Sequence, residues 1–148
     1  MLRAAVFLGA ILSASPALAG WQWTEWGMTV DEVLKIAPKE VEASPTGDGE
    51  TVYAYIEAAG FPFSAQLNFF GSGRLNEVVL FPVEKQCPEI ISAMVLTYGE
   101  GGYRGRNRIG YDVITWSDFR SGNRVELRTN VCSIMYSPLN TPNENGGL

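Results

Sequence analysis

The chain has no histidine, only two cysteines, and few charges, with 18% of its 148 residues charged. Without histidine it lacks the commonest general base near neutral pH and the commonest metal ligand. Two cysteines alone do not build an ordinary zinc site, so neither a metal nor a cofactor is expected. Catalytic signatures are missing as well. There is no Gly-x-Ser-x-Gly elbow and no Ser-x-x-Lys, and a triad with histidine as base is ruled out. The run Asp48-Gly49-Glu50 lacks the alternation of a calcium loop. Carboxylate pairs such as Asp112 with Asp118 remain open, because sequence fixes no distance between them. The expectation is a protein that is not an enzyme and has no catalytic residue. Eleven basic against sixteen acidic residues give a net charge of −5, a poor basis for binding nucleic acid.

Long apolar runs are also missing, except at the start. Arg3 precedes an uncharged apolar stretch from Ala4 to Leu12, and Ala17-Leu18-Ala19 supplies small residues at the positions signal peptidase reads. Residues 1–19 are therefore expected to be a signal peptide, too short to persist as a membrane span. Gly20 follows where a lipoprotein would carry cysteine, so no lipid anchor is expected. Cutting away Arg3 makes the remainder one charge more acidic. The expected location is periplasmic or secreted. In such an oxidising compartment Cys87 and Cys132 read as a disulfide, with two buried free thiols as the alternative.

What is present organises into a single domain over residues 20–137, followed by a loose tail over 138–148. Thr29-x-x-Glu32 is a capping box, and Val30, Val33, Leu34 and Ala37 share one face of a short helix that ends before Pro38. Residues 39–50 read as a surface loop. Strand character runs from Thr51 to Ile56. After Gly60, Phe61, Phe63, Ala65, Leu67 and Phe69 alternate with polar residues. Gly71-Ser72-Gly73 turns into a return strand over 75–81.

Pro88 opens a second helix whose stripe is Ile90, Ile91, Met94, Val95 and Tyr98, stopped by Gly99. A Gly-rich basic loop covers 99–110. Strands follow at 111–117, around Val125 and Leu127, and at 131–136. The predicted fold is α+β: an antiparallel sheet of about six strands with two helices on one face. Helix-plus-three-strands occurs twice, and Phe70-Gly-Ser-Gly and Phe119-Arg-Ser-Gly are read as matching turns of a pseudo-repeat.

Trp26-Gly27-Met28-Thr29-Val30-Asp31-Glu32-Val33, the hairpin from Phe69 to Leu80, the helix from Cys87 to Gly99, and Trp116 together resemble small exported bacterial proteins of the β-lactamase-inhibitor-protein-like group. That group includes the SmpA/OmlA-type envelope lipoproteins. These pieces cover roughly half of the chain after residue 19. The resemblance implies a protein-binding or envelope-assembly role on a small α+β sheet. The missing anchor cysteine departs from the lipoprotein members.

Two clusters are candidate binding sites. Tyr103, Arg104, Arg106 and Arg108 place three guanidinium groups within five residues, a pattern suited to phosphate or carboxylate. It also fits a solvated loop that offsets nearby acids. Trp21 and Trp23 project to one side if their segment is extended, and Trp26 to the other. They form an aromatic platform if exposed, or sheet cover if buried. The expected function is a non-catalytic protein-binding module for an envelope or extracellular protein. The alternative is a binder of an anionic envelope ligand, a glycan fragment or lipid phosphate, through the arginine loop. Sequence leaves the oligomeric state open.

Overall fold

The computed structural model describes residues 20–139. The expected signal peptide and residues 140–148 lie outside them. The elements are β1 (Gly20–Trp21), β2 (Thr24–Glu25), α1 (Val30–Ile36), β3 (Ser44–Pro45), β4 (Thr51–Ala58), β5 (Phe61–Asn68), β6 (Glu77–Pro82), α2 (Cys87–Tyr98), β7 (Tyr103–Arg106), β8 (Asp112–Asp118), β9 (Asn123–Arg128) and β10 (Ser133–Pro138). The fold is α+β: two helices, an antiparallel sheet of eight strands in the order β3-β4-β5-β6-β10-β9-β8-β7, and a small β1-β2 sheet.

Eight strands replace the expected six because two short edge strands lie inside segments read as loops. β3 is only two residues long, and β7 is Tyr-Arg-Gly-Arg. Neither shows apolar alternation, because an edge strand with little burial needs none. The last strand also runs farther than expected. Pro138 belongs to β10, and the Leu139 amide donates to the Gly122 carbonyl at 3.0 Å.

The sheet is two four-strand meanders joined through their last strands, β6 against β10. The two Phe-x-Ser-Gly turns do not occupy equivalent places in them. Phe70 lies between β5 and β6, the third link of its half, whereas Phe119 lies between β8 and β9, the second link of its half. Their likeness reflects shared turn chemistry.

Register explains the core. Ala54, Ala65, Leu80, Ile134, Leu127 and Ile114 stand opposite one another across six strands. Val52, Leu67, Val78, Tyr136, Val125 and Trp116 form the next row on the same face. These rows pack with Val33 of α1 and with Ile90 and Met94 of α2 in one apolar cluster. The capping box is present: the Thr29 side chain accepts from the Glu32 amide, and the Glu32 carboxylate accepts from the Thr29 amide at 2.8 Å. Just before it, Gly27 sits at φ +89°, a region that favours glycine. The Gly27 amide donates to the Leu75 carbonyl at 2.9 Å, and the Leu75 amide donates to the Met28 carbonyl at 2.7 Å. The start of α1 is thereby tied to the β5–β6 connection.

Two links hold α2 to the sheet. The first is the disulfide Cys87–Cys132, with Cα atoms 5.5 Å apart, which joins the first residue of α2 to the turn before β10. A closed loop of this length contributes roughly 3–4 kcal/mol on the chain-entropy account. The second is the hydrogen bond from Trp116 Nε1 to the Gly99 carbonyl at 2.8 Å, which closes the end of α2. Tyr98 and Tyr136 both pack against the core.

Replacing both cysteines by alanine is expected to lower the unfolding free energy by about 3 kcal/mol. Urea titration reads this as a lower midpoint with a somewhat steeper slope, because the denatured chain without the cross-link exposes more surface. Burial, and secondarily the neighbouring Tyr98, pushes the Tyr136 hydroxyl far above the ordinary tyrosine value, and burial also raises Tyr98. The folded state therefore keeps these protons after the unfolded chain has lost them. Stability is at its full value below about pH 10 and declines as pH rises beyond it. Urea midpoints between about pH 8 and 11 test this, and Tyr136→Phe should flatten the decline.

Candidate binding face

The alternation that sends one set of side chains to the helices sends the other set to the opposite face of the sheet. Neither helix packs there. One row on that face is Tyr53, Gln66, Val79 and Met135, continuing through Glu126 and Thr115 to Tyr103. Tyr55, Ser64 and Phe81 form a parallel row. Tyr103 is 72% exposed, and Tyr53 and Phe81 are also exposed. The face is therefore mixed: aromatic rings stand among hydroxyl, amide and charged groups.

A charged network lies at its β7–β9 end. Glu126 is only 5% exposed. Its Oε1 accepts from Arg128 Nε at 3.4 Å and from Asn107 Nδ2 at 3.2 Å. The Arg128 guanidinium lies 5.6 Å from the centre of the Tyr111 ring, within reach of a cation–π contact. Beside this network is an open cleft of about 440 Å3, lined by Tyr103, Arg106, Asn107, Thr115, Arg124 and Glu126 among others. Arg124 makes no ion pair among the described residues, so its guanidinium is available to an anion.

The arginine loop is rebuilt by this geometry. Arg104 and Arg106 stand opposite Ile114 and Asp112 in β8, and each has an acidic partner: Glu100 at 3.8 Å and Asp112 at 3.1 Å. Both pairs are exposed, and such pairs contribute at most about 1 kcal/mol. Arg108 sits in the turn closed by the Gly110 amide on the Asn107 carbonyl at 3.0 Å. Of the three, only Arg106 lines the cleft. Gly102 of this run serves packing: a Cβ there would stand 2.6 Å from both Ile114 Cγ2 and Trp116 Nε1.

For the tryptophans the structure matches the alternative of sheet cover rather than an exposed platform. β1 and β2 pair across a tight turn, with Trp21 opposite Thr24 and Gln22 at φ +50°. The turn breaks the extended geometry that the alternation assumed. Trp21 is 5% exposed and belongs to the core, its ring centre 5.5 Å from Trp23 and 6.2 Å from Tyr136. Trp23 is partly buried, and its Nε1 has no hydrogen-bond partner among the described residues. Trp26 Nε1 donates to Asn123 Oδ1 at 2.8 Å, and Asn123 Nδ2 donates to the Gly20 carbonyl at 2.9 Å.

Of the candidate residues, Tyr103 thus belongs to the face and Arg106 lines the cleft at its border, while Arg104 and Arg108 lie beside it and Trp21 and Trp23 pack in or against the core. Asn107, Thr115 and Arg124 were not among the candidates. Arg124 is signalled in the sequence by the polar phase of Arg124-Val125-Glu126-Leu127-Arg128, while Asn107 lies in the basic loop and Thr115 in the strand that follows it.

No protein-family model matches this chain, and neither does any curated protein or solved structure. Among the described residues no helix is long and apolar enough to cross a membrane.

The Glu126–Arg128 pair should govern the order of this face. Arg128→Met leaves a nearly buried carboxylate without its cation and is expected to cost about 3 kcal/mol. Combining it with Glu126→Gln should restore part of that loss. A double-mutant cycle by chemical denaturation measures the coupling.

Proposed function

We propose that this chain is an exported, non-catalytic protein-binding module that engages its partner through the helix-free face of the sheet. The observation that carries the reading is the composition of that face. Exposed Tyr53, Phe81 and Tyr103 stand among polar groups on a rigid sheet, and aromatic and arginine side chains are the usual anchors of protein interfaces. The disulfide is consistent with an oxidising compartment. The leader-like residues 1–19 and the resemblance of Trp26 to Val33 to exported β-lactamase-inhibitor-protein-like proteins favour the same assignment.

A second reading rests on the cleft. Arg124, Arg106 and Tyr103 together suit an anionic glycan or phosphate group, with the ring supplying a stacking wall and Arg124 the charge. It replaces the three-arginine clamp with a pair drawn from β7 and β9.

Photo-crosslinking side chains placed singly at Phe81 and Tyr103, and as controls at Leu96 and Phe119, test the first reading in cells. Leu96 and Phe119 are highly exposed but lie on α2 and in the β8–β9 turn. Discrete protein adducts are expected from the first pair alone. Equal labelling from all four positions, or none from the first pair, would refute a docking face. Loss of ligand retention on anionic glycan arrays in Arg124→Ala, with no protein adduct at Phe81 or Tyr103, would favour the cleft.

A further inference from the structure

We infer that the open edge of β4 is a self-association site, at which a second copy of this chain pairs antiparallel across a two-fold axis at Ile56. The inference is independent of the partner assigned to the sheet face. β4 runs Thr51–Ala58, but β3 covers only Val52 and Tyr53. Upstream of β3 the chain turns inward, and Val41 and Ala43 pack against the core. Among the described residues no strand pairs with Ala54 to Ala58 on that side.

The direction of the free backbone groups follows from the hairpin. β4 and β5 are joined by two residues, Ala59 and Gly60, at φ +51° and +81°. Two positive φ values mark the type I′ turn. In such a hairpin the closing pair, here Ala58 and Phe61, exchanges both backbone hydrogen bonds, and such pairs then alternate along the ladder. Ile56 and Ala54 therefore also direct their amides and carbonyls to β5. Tyr55 and Glu57 direct theirs outward. Neighbouring contacts agree with this phase. The Thr51 carbonyl accepts from the Thr46 amide on the β3 side at 2.8 Å, and the Glu50 carbonyl accepts from the Phe69 amide on the β5 side at 2.9 Å.

The segment Ala54-Tyr55-Ile56-Glu57-Ala58 is complementary to itself about Ile56. Antiparallel pairing sets Tyr55 against Glu57 of the second copy and Glu57 against its Tyr55. Each of these pairs exchanges two backbone hydrogen bonds using the outward groups. Tyr55 is 65% exposed and Glu57 is exposed on the same face, so each phenol can donate to the opposing carboxylate. On the other face Ala54 meets Ala58, and Ile56 meets Ile56. No like charges oppose one another in this register.

The other sheet edge is built differently. β7 carries Arg104 and Arg106 around Gly105, and pairing it with itself would bring arginines together. Charge of that kind is how sheet edges avoid association. The stretch from Ala54 to Ala58 has no proline and no basic residue.

Sedimentation equilibrium of the purified protein, up to about 1 mM as suits a small interface, should show twice the chain mass. Tyr55→Pro removes an outward amide without touching the β5 ladder, so it should halve that mass with an unchanged circular dichroism spectrum. Register is tested by mixing a Tyr55→Cys protein with a Glu57→Cys protein under mild oxidation. A 55–57 cross-linked dimer should form in the mixture and in neither protein alone. This arm stands even where Tyr55→Pro fails to fold. A monomer at every concentration, a dimer that survives Tyr55→Pro, or cross-linking in each variant alone would overturn the inference.

Discussion

Register is the constraint on which the rest of this molecule depends. Side chains alternate across a strand, so sliding one strand by a single residue would turn its whole apolar set to the wrong face. Here eight strands hold one phase. Leu80 meets Ile134 at the centre, and the same row continues outward through Ala65 and Leu127. That phase gives the two short helices an apolar surface to cover, and α1, with seven residues, has little stability of its own. The same phase leaves the opposite face with tyrosines, hydroxyls and the Glu126–Arg128 pair.

What was legible in the sequence was local. The capping box at Thr29 and Glu32 needs only neighbouring residues, as does the stop at Gly99, and both were readable. The β5–β6 pair was readable because alternation there is uninterrupted. Cys87 and Cys132 were readable through compartment and parity of number. Edge strands were not, since β3 and β7 gain too little burial to impose a hydrophobic pattern. The fate of Trp21 was hidden for a different reason. It hangs on Gln22 adopting φ +50°, a conformation that glutamine does not announce. The candidate face was partly visible at Tyr103, and the cleft beside it at Arg106. Arg124 and Asn107 join them only through long-range strand pairing, which a reading of neighbouring residues does not supply.

Charge is distributed unevenly between the two borders of the sheet and along the free face. Basic groups gather toward β7 and β9, where Arg106 and Arg124 flank the cleft, while Glu57 is the charged group beside the free border of β4. The face thus has an arginine-bearing end, with Arg124 free of an ion pair among the described residues, and an aromatic, weakly acidic end. Such a gradient orients an approaching molecule before contact, to an extent that depends on ionic strength.

The seam between β6 and β10 has a kinetic consequence. Within each half, strands follow one another as neighbours, so their pairing closes short stretches of chain. Among the described strand pairs of the large sheet, it is the meeting of Val78, Val79 and Leu80 with Tyr136, Met135 and Ile134 that joins segments farthest apart in sequence. Distant contacts are the slow ones to form. The two meanders can each organise early, and the rate at which the whole molecule matures is then governed by how quickly one half finds the other.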